Sequence, residues 1–122
     1  MSPLEPGLYI VATPIGNLGD LSPRAADILS RADVIAVEDS RVTAGLLRHI
    51  GAKRPMVPYH DHNAEGVRPG LIARMATEAV ALVSDAGTPL ISDPGYKLVR
   101  DARAAGHAVV SPGRTPSALW SW

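Results

Sequence analysis

The chain has no cysteine. Disulfides, thiolate catalysis and cysteine-ligated zinc or iron–sulfur sites are therefore excluded. It has no excess charge of either sign, with 12 basic and 12 acidic residues. That argues against a stand-alone, charge-driven nucleic-acid binder, which carries a basic surplus. An enzyme whose basic surface lies on another domain is still allowed. No apolar run reaches the roughly 18 residues needed to span a membrane. The opening MSPLEPGLYIVATP lacks the positive start and long apolar stretch of a signal peptide. A soluble cytoplasmic protein is the expectation. Phenylalanine is absent while alanine, glycine, proline and arginine are plentiful, a bias that says little about function.

The chain's 122 residues suffice for one ordinary domain with a real core. With 46% hydrophobic residues, it should be globular rather than disordered. Leu8–Ala12, Val34–Val37, Met56–Tyr59, Ala79–Val83 and His107–Val110 read as short strands. They are continuously apolar rather than alternating, which suits a parallel sheet covered on both faces. Between them lie helical segments. Ser22-Pro23 is a capping hydroxyl followed by proline, and Ala25, Ile28, Leu29 and Ala32 then fall on one face. Thr43–Ile50 is stopped by Gly51. Asn63 can cap a helix running to about Glu78. Asp93-Pro94 repeats the cap-plus-proline start, for a helix reaching Ala105. Strand and helix alternate throughout, so the expected fold is α/β, a mostly parallel sheet of about five strands with helices on both faces.

The chemistry-bearing residues cluster in loops after strands, all expected along one sheet edge. SDAGTPLISDPG, Ser84 to Gly95, packs two acids, two glycines, two prolines and several hydroxyls into one loop. That is too many for a connector, and ligands sit at strand carboxyl ends in α/β domains. Asp93 has a structural role as a helix cap, but Asp85, Thr88 and Ser92 have none as obvious. TPIGNLGD, Thr13 to Asp20, has Pro14, Gly16 and Gly19, which allow close backbone approach to a ligand. It is neither GxGxxG nor a phosphate loop with its lysine, and alone it also reads as a turn. EDSR, Glu38 to Arg41, offers two acids and an arginine at a buried strand's end. Spacing alone favours a cap by Asp39 or Ser40; the functional reading makes Asp39 or Glu38 a polar anchor and Arg41 a phosphate contact.

YHDHN places His60 and His62 beside Asp61. Two histidines without a third ligand at a recognised spacing make a weak metal signal, so no metal site is assigned. Either histidine could touch substrate if it lies near a cleft. Arg48, His49, Lys53 and Arg54 form a basic cluster suited to a helix C-terminus, or in an RNA enzyme to phosphate. No Gly-x-Ser-x-Gly elbow is present. Glycine-rich loops with few committed catalytic side chains suit a reaction driven by positioning, such as methyl transfer from a sulfonium.

LYIVATPIGNLGD, VIAVEDSR, YHDHN and ALVSDAGTPLISDPGYKLV together resemble the N-terminal domain of the ribosomal RNA small subunit methyltransferase I family, in the tetrapyrrole methylase superfamily. The resemblance covers about Gly7 to Val110. It implies S-adenosyl-L-methionine as methyl donor and a cytidine ribose 2′-hydroxyl of 16S rRNA, in the small ribosomal subunit's decoding region, as acceptor. It also implies a cleft between two α/β domains, and a homodimer. Pro14, Gly16 and Asn17 would line the donor cleft with Asp85, Ala86, Gly87 and Thr88, completed by Ser92, Asp93 and Gly95. Arg41, His60 and His62 would face the substrate. A ribose hydroxyl needs a proton acceptor during attack; Asp39, Glu38 and Asp85 are the candidates, in that order.

Two departures stand out. Family members continue for well over a hundred further residues, and their P-G-P-[ST]-A turn is replaced here by SPGRTPSALWSW. Residues 1–113 are expected to be the N-terminal domain and 114–122 an atypical tail, so the 122-residue chain alone is expected to be inactive or nearly so. Two other readings are a precorrin-type tetrapyrrole methyltransferase domain and a non-catalytic remnant or dimerisation module. EDSR and YHDHN favour the rRNA enzyme over a tetrapyrrole one.

Overall fold

Nine elements alternate along the chain in a computed structural model, which describes residues 4–13, 21–85 and 93–110. They are β1 (Gly7–Thr13), α1 (Pro23–Arg31), β2 (Val34–Val37), α2 (Ser40–Ile50), β3 (Met56–Pro58), α3 (Ala64–Arg74), β4 (Ala79–Asp85), α4 (Asp93–Ala104) and β5 (Val109–Val110). Local chemistry explains most boundaries. Ser22 accepts the Ala25 N–H at 3.1 Å, and Pro23 follows where its missing N–H costs nothing. Asp39 caps α2, so that helix begins at Ser40 rather than Thr43, and Gly51 ends it in the left-handed conformation, φ 72°.

Three further expectations are corrected. Asn63 precedes α3 but its side chain does not cap it. Its Oδ1 accepts the His60 N–H at 2.8 Å and its Nδ2 donates to the Pro58 carbonyl at 2.9 Å, so it ties the preceding turn instead. The helix also stops at Arg74 rather than about Glu78, where Ala76 and Thr77 tighten into turns by donating three residues back, to the Ala73 and Arg74 carbonyls. Asp93 lies inside α4's first turn rather than before it, where its negative charge still favours the helix N-terminus.

The sheet runs β3-β2-β4-β1-β5, and every pairing is parallel. Its centre is the seven-residue pairing of β1 with β4, from Gly7 opposite Ala79 to Thr13 opposite Asp85. The chain moves one way across the sheet through β1, β2 and β3, then back through β4 to β5. Right-handed crossovers convert that reversal into a change of face. Helices α1 and α2 accordingly cover one side, where Ile28, Leu29 and Leu47 pack on Tyr9, Val11, Ile35 and Ala81. Helices α3 and α4 cover the other, where Leu71, Leu98 and Val99 pack on Leu8, Ile10, Ala36 and Leu82. Burial on both faces is why the strands are apolar throughout.

Candidate active site at the carboxyl edge of the sheet

Because all strands are parallel, every segment that follows a strand emerges at one edge. The carboxyl ends of β3, β2, β4 and β1 lie there in that spatial order, with residues 59–62 following β3 and 38–41 following β2. β4 and β1 are adjacent, and the helices that follow them lie on opposite faces, the geometry that opens a ligand crevice at a parallel sheet's edge. Pro14, Gly16, Asn17, Ala86, Gly87, Thr88 and Ser92 lie outside the described residues, as does the 114–122 tail. Asp85 is the last residue of β4, opposite buried Thr13. At the neighbouring position Ala12 is exposed between buried Val11 and Thr13.

Asp39 spends its carboxylate locally. Its Oδ1 accepts the Arg41 N–H at 3.0 Å and the Arg41 Nε–H at 3.4 Å. The bonds from Arg41 hold its pKa below the ordinary carboxylate value, which weakens it as a proton acceptor. Glu38, one residue earlier, is exposed and has no partner among the described residues. The capping reading of EDSR is thereby met, with Asp39 as the cap.

The segment after β3 runs beside it, joined by the Tyr59 N–H donating to the Val37 carbonyl at 2.7 Å. His60 and His62 pack edge to face, with ring centroids 5.8 Å apart. The His62 N–H donates to His60 Nδ1 at 3.3 Å, so a neutral His60 carries its proton on Nε2. Among the described residues no three His, Asp or Glu side chains converge as metal ligands. Asp93 stands at the start of α4, its Oδ2 3.5 Å from Lys97 Nζ.

The sequence profile of the tetrapyrrole (corrin/porphyrin) methylases matches residues 7–118. The chain belongs to the tetrapyrrole methylase family. It is 58% identical over 113 residues to ribosomal RNA small subunit methyltransferase I of Xylella fastidiosa, covering 92% of this chain and 41% of that protein. It is 54% identical over 118 residues to the protein of the same name from Mesorhizobium japonicum, covering 95% and 40%. The chain therefore spans about two fifths of the length of these curated relatives. Among solved structures, uroporphyrin-III-C-methyltransferase from Thermus thermophilus superposes with a TM-score of 0.64 at 25% identity, over 93% of this chain and 50% of that one.

Within this tetrapyrrole methylase domain, sequence reasoning missed one buried polar group at the same edge. Tyr59 and Arg68 are 0% and 6% exposed, and the Arg68 Nε–H donates to the Tyr59 hydroxyl at 3.0 Å. The signal was a lone arginine three residues after Glu65, to which it is also bonded. An arginine on a helix is ordinarily solvated, so its burial follows from packing alone.

Proposed function

We propose that residues 1–113 form the donor-side domain of an S-adenosyl-L-methionine-dependent methyltransferase acting on a ribose 2′-hydroxyl of a 16S rRNA cytidine. The observation that carries this is that the strand ends leading into all four motif segments lie at one sheet edge, in a family member whose relatives above 50% identity bear the name of an rRNA methyltransferase. An activated methyl group is what the donor supplies when bound.

The chain's own residues would bind and orient. The ends of β1 and β4, beside exposed Ala12, are where the adenosyl group would sit, since it needs close backbone approach. Pro14, Gly16 and Asn17 on one side, with Asp85 to Thr88, Ser92 and Asp93 on the other, would form the donor's walls. Arg41, His60 and His62, on the adjoining segments, would meet the RNA. Glu38 is the freer carboxylate of the EDSR pair to take a proton, since Asp39 is occupied as a cap. A cytoplasmic homodimer is part of this reading.

The test joins this chain to the C-terminal portion of the Xylella fastidiosa relative and supplies radiolabelled donor. Label should enter 30S subunits that lack the modification. Label entering a porphyrinoid instead, or no transfer to RNA, overturns the reading.

A further inference from the structure

Helix α2 and the turn after it border an open, concave surface hollow of about 380 Å³. Its rim carries Arg41, Arg48, Lys53 and Arg54, its floor includes Leu47 and Met56, and no carboxylate lines it. Arg41 stands in the first turn of α2 at the candidate active edge, and Arg48 lies two turns on. Lys53 and Arg54 lead into β3 at the opposite edge. The cations thus run down one flank of the domain, beginning beside the substrate-side segments.

Their bonding differs. Arg54 is fixed by its Nε–H donating to the Ala32 carbonyl at 2.6 Å. Arg41 leans on Asp39 at 3.4 Å but is otherwise exposed. Arg48 and Lys53 are exposed and have no carboxylate partner among the described residues. The chain as a whole has as many acids as bases, so four cations around one hollow with no acid among them are a local segregation of charge. A solvated helix end accounts for Arg48. It does not account for a hollow with an apolar floor.

We propose that this hollow binds single-stranded RNA outside the methylation cleft, with phosphates on Arg48 and Lys53 and one unpaired base over Leu47 and Met56. The inference rests on the rRNA reading above and adds a second contact surface to it. Phosphates supply the counter-charge that Arg48 and Lys53 lack. Guanidinium planes over an apolar floor suit the face of an unpaired base, which duplex RNA keeps stacked. An acidic peptide would satisfy the charges but leave the floor without a planar group.

Fluorescence anisotropy with a labelled oligocytidylate tests this on the 122-residue chain. Both altered side chains are exposed, so Arg48→Glu with Lys53→Glu should keep the wild-type urea midpoint. The double variant should bind at least about tenfold more weakly, and its salt slope should be shallower by about 1.4, at ~0.7 per phosphate contact on a single strand. Arg48→Ala with Lys53→Ala should show the same ordering with a smaller loss. Arg24→Glu, on α1, should bind as wild type does. Unchanged binding by the double variants, an equal loss in Arg24→Glu, or tighter binding of polyglutamate or a hairpin duplex than of oligocytidylate would each overturn the proposal. Because this readout is binding alone, it separates the two readings. RNA methylation by the joined chain with no groove dependence sinks only the groove. Groove-dependent RNA binding with methyl transfer to a porphyrinoid sinks only the rRNA activity.

Discussion

The hydroxyl of Tyr59 donates to the carbonyl oxygen of Pro94, 35 positions later in the chain. Tyr59 directly follows β3, and Pro94 is the second residue of α4. One buried bond therefore joins the segment bearing His60 and His62 to the helix that follows residues 86–92. Arg68 completes it from α3, donating to the same hydroxyl and reaching Glu65 at 3.2 Å and Asp101 at 3.9 Å. Lys97 adds an outer tie, 3.6 Å from Glu65 and 3.5 Å from Asp93.

Tyr59→Phe removes only the hydroxyl. It takes one donor from the Pro94 carbonyl and leaves the buried Arg68 Nε–H without its hydroxyl acceptor, so it should destabilise the domain by about 1–3 kcal/mol. Urea denaturation at neutral pH reads this directly, and a midpoint equal to wild type would contradict the network's role.

The same hydroxyl predicts an alkaline effect. Burial raises the Tyr59 pKa above its ordinary value, against the opposing pull of Arg68. A raised folded pKa means that the folded state keeps the proton longer. The stabilisation is complete below about pH 10 and fades as pH rises through the folded value. Urea midpoints of wild type and Tyr59→Phe should therefore converge above about pH 10, while their difference stays constant between pH 7 and 9.

Asp39 predicts the opposite end of the scale. Its carboxyl is held below the ordinary value by the bonds from Arg41. Its contribution is present above about pH 3.9 and lost as pH falls through the lower, folded value. Asp39→Ala should melt below wild type at pH 7, and the two melting curves should draw together only in strong acid. Asp39→Asn, which preserves a capping oxygen, should lie between them at pH 7.

Two glycines should respond differently to alanine. Gly7 has φ 144°, and a Cβ there would sit 2.8 Å from the Ala108 carbonyl oxygen. That oxygen already accepts the Leu8 N–H at 2.9 Å and cannot easily retreat. Gly7→Ala should cost about 2–3 kcal/mol, from strain plus overlap. Gly51 has φ 72° with nothing within 4 Å of a Cβ, so Gly51→Ala should cost only the left-handed penalty, about 1 kcal/mol. Thermal melts of both variants give the ordering, and an equal loss would contradict it.

As a 122-residue polypeptide, the chain should bind S-adenosyl-L-methionine more weakly than micromolar and transfer no methyl group, since its relatives are more than twice as long. Isothermal titration decides this, and micromolar affinity would overturn it.

Much of the local structure was legible. Ser22-Pro23 started a helix, Gly51 stopped one, and five apolar runs became five strands, because caps and burial patterns act over a few residues. Legibility failed where a side chain had two local uses. Asn63 resembled a cap but bonds backward to His60 and Pro58, and a donor-acceptor side chain next to a turn can do either. Asp39 was legible as a cap, but its cost to basicity was not. The bonds to Arg41 became visible only in the structure.

From the chain alone came the strand–helix alternation, the absence of cysteine chemistry and the expectation that SDAGTPLISDPG carries a ligand. Periodicity and turn chemistry are local, and a single strand of text carries them. The tertiary structure alone decided that β1 and β4 are central neighbours, that Tyr59 and Pro94 meet, and that Arg41, Arg48, Lys53 and Arg54 surround one hollow. Periodicity specifies which face of an element is buried. Which distant element covers it is settled only when both faces of the whole sheet are packed at once.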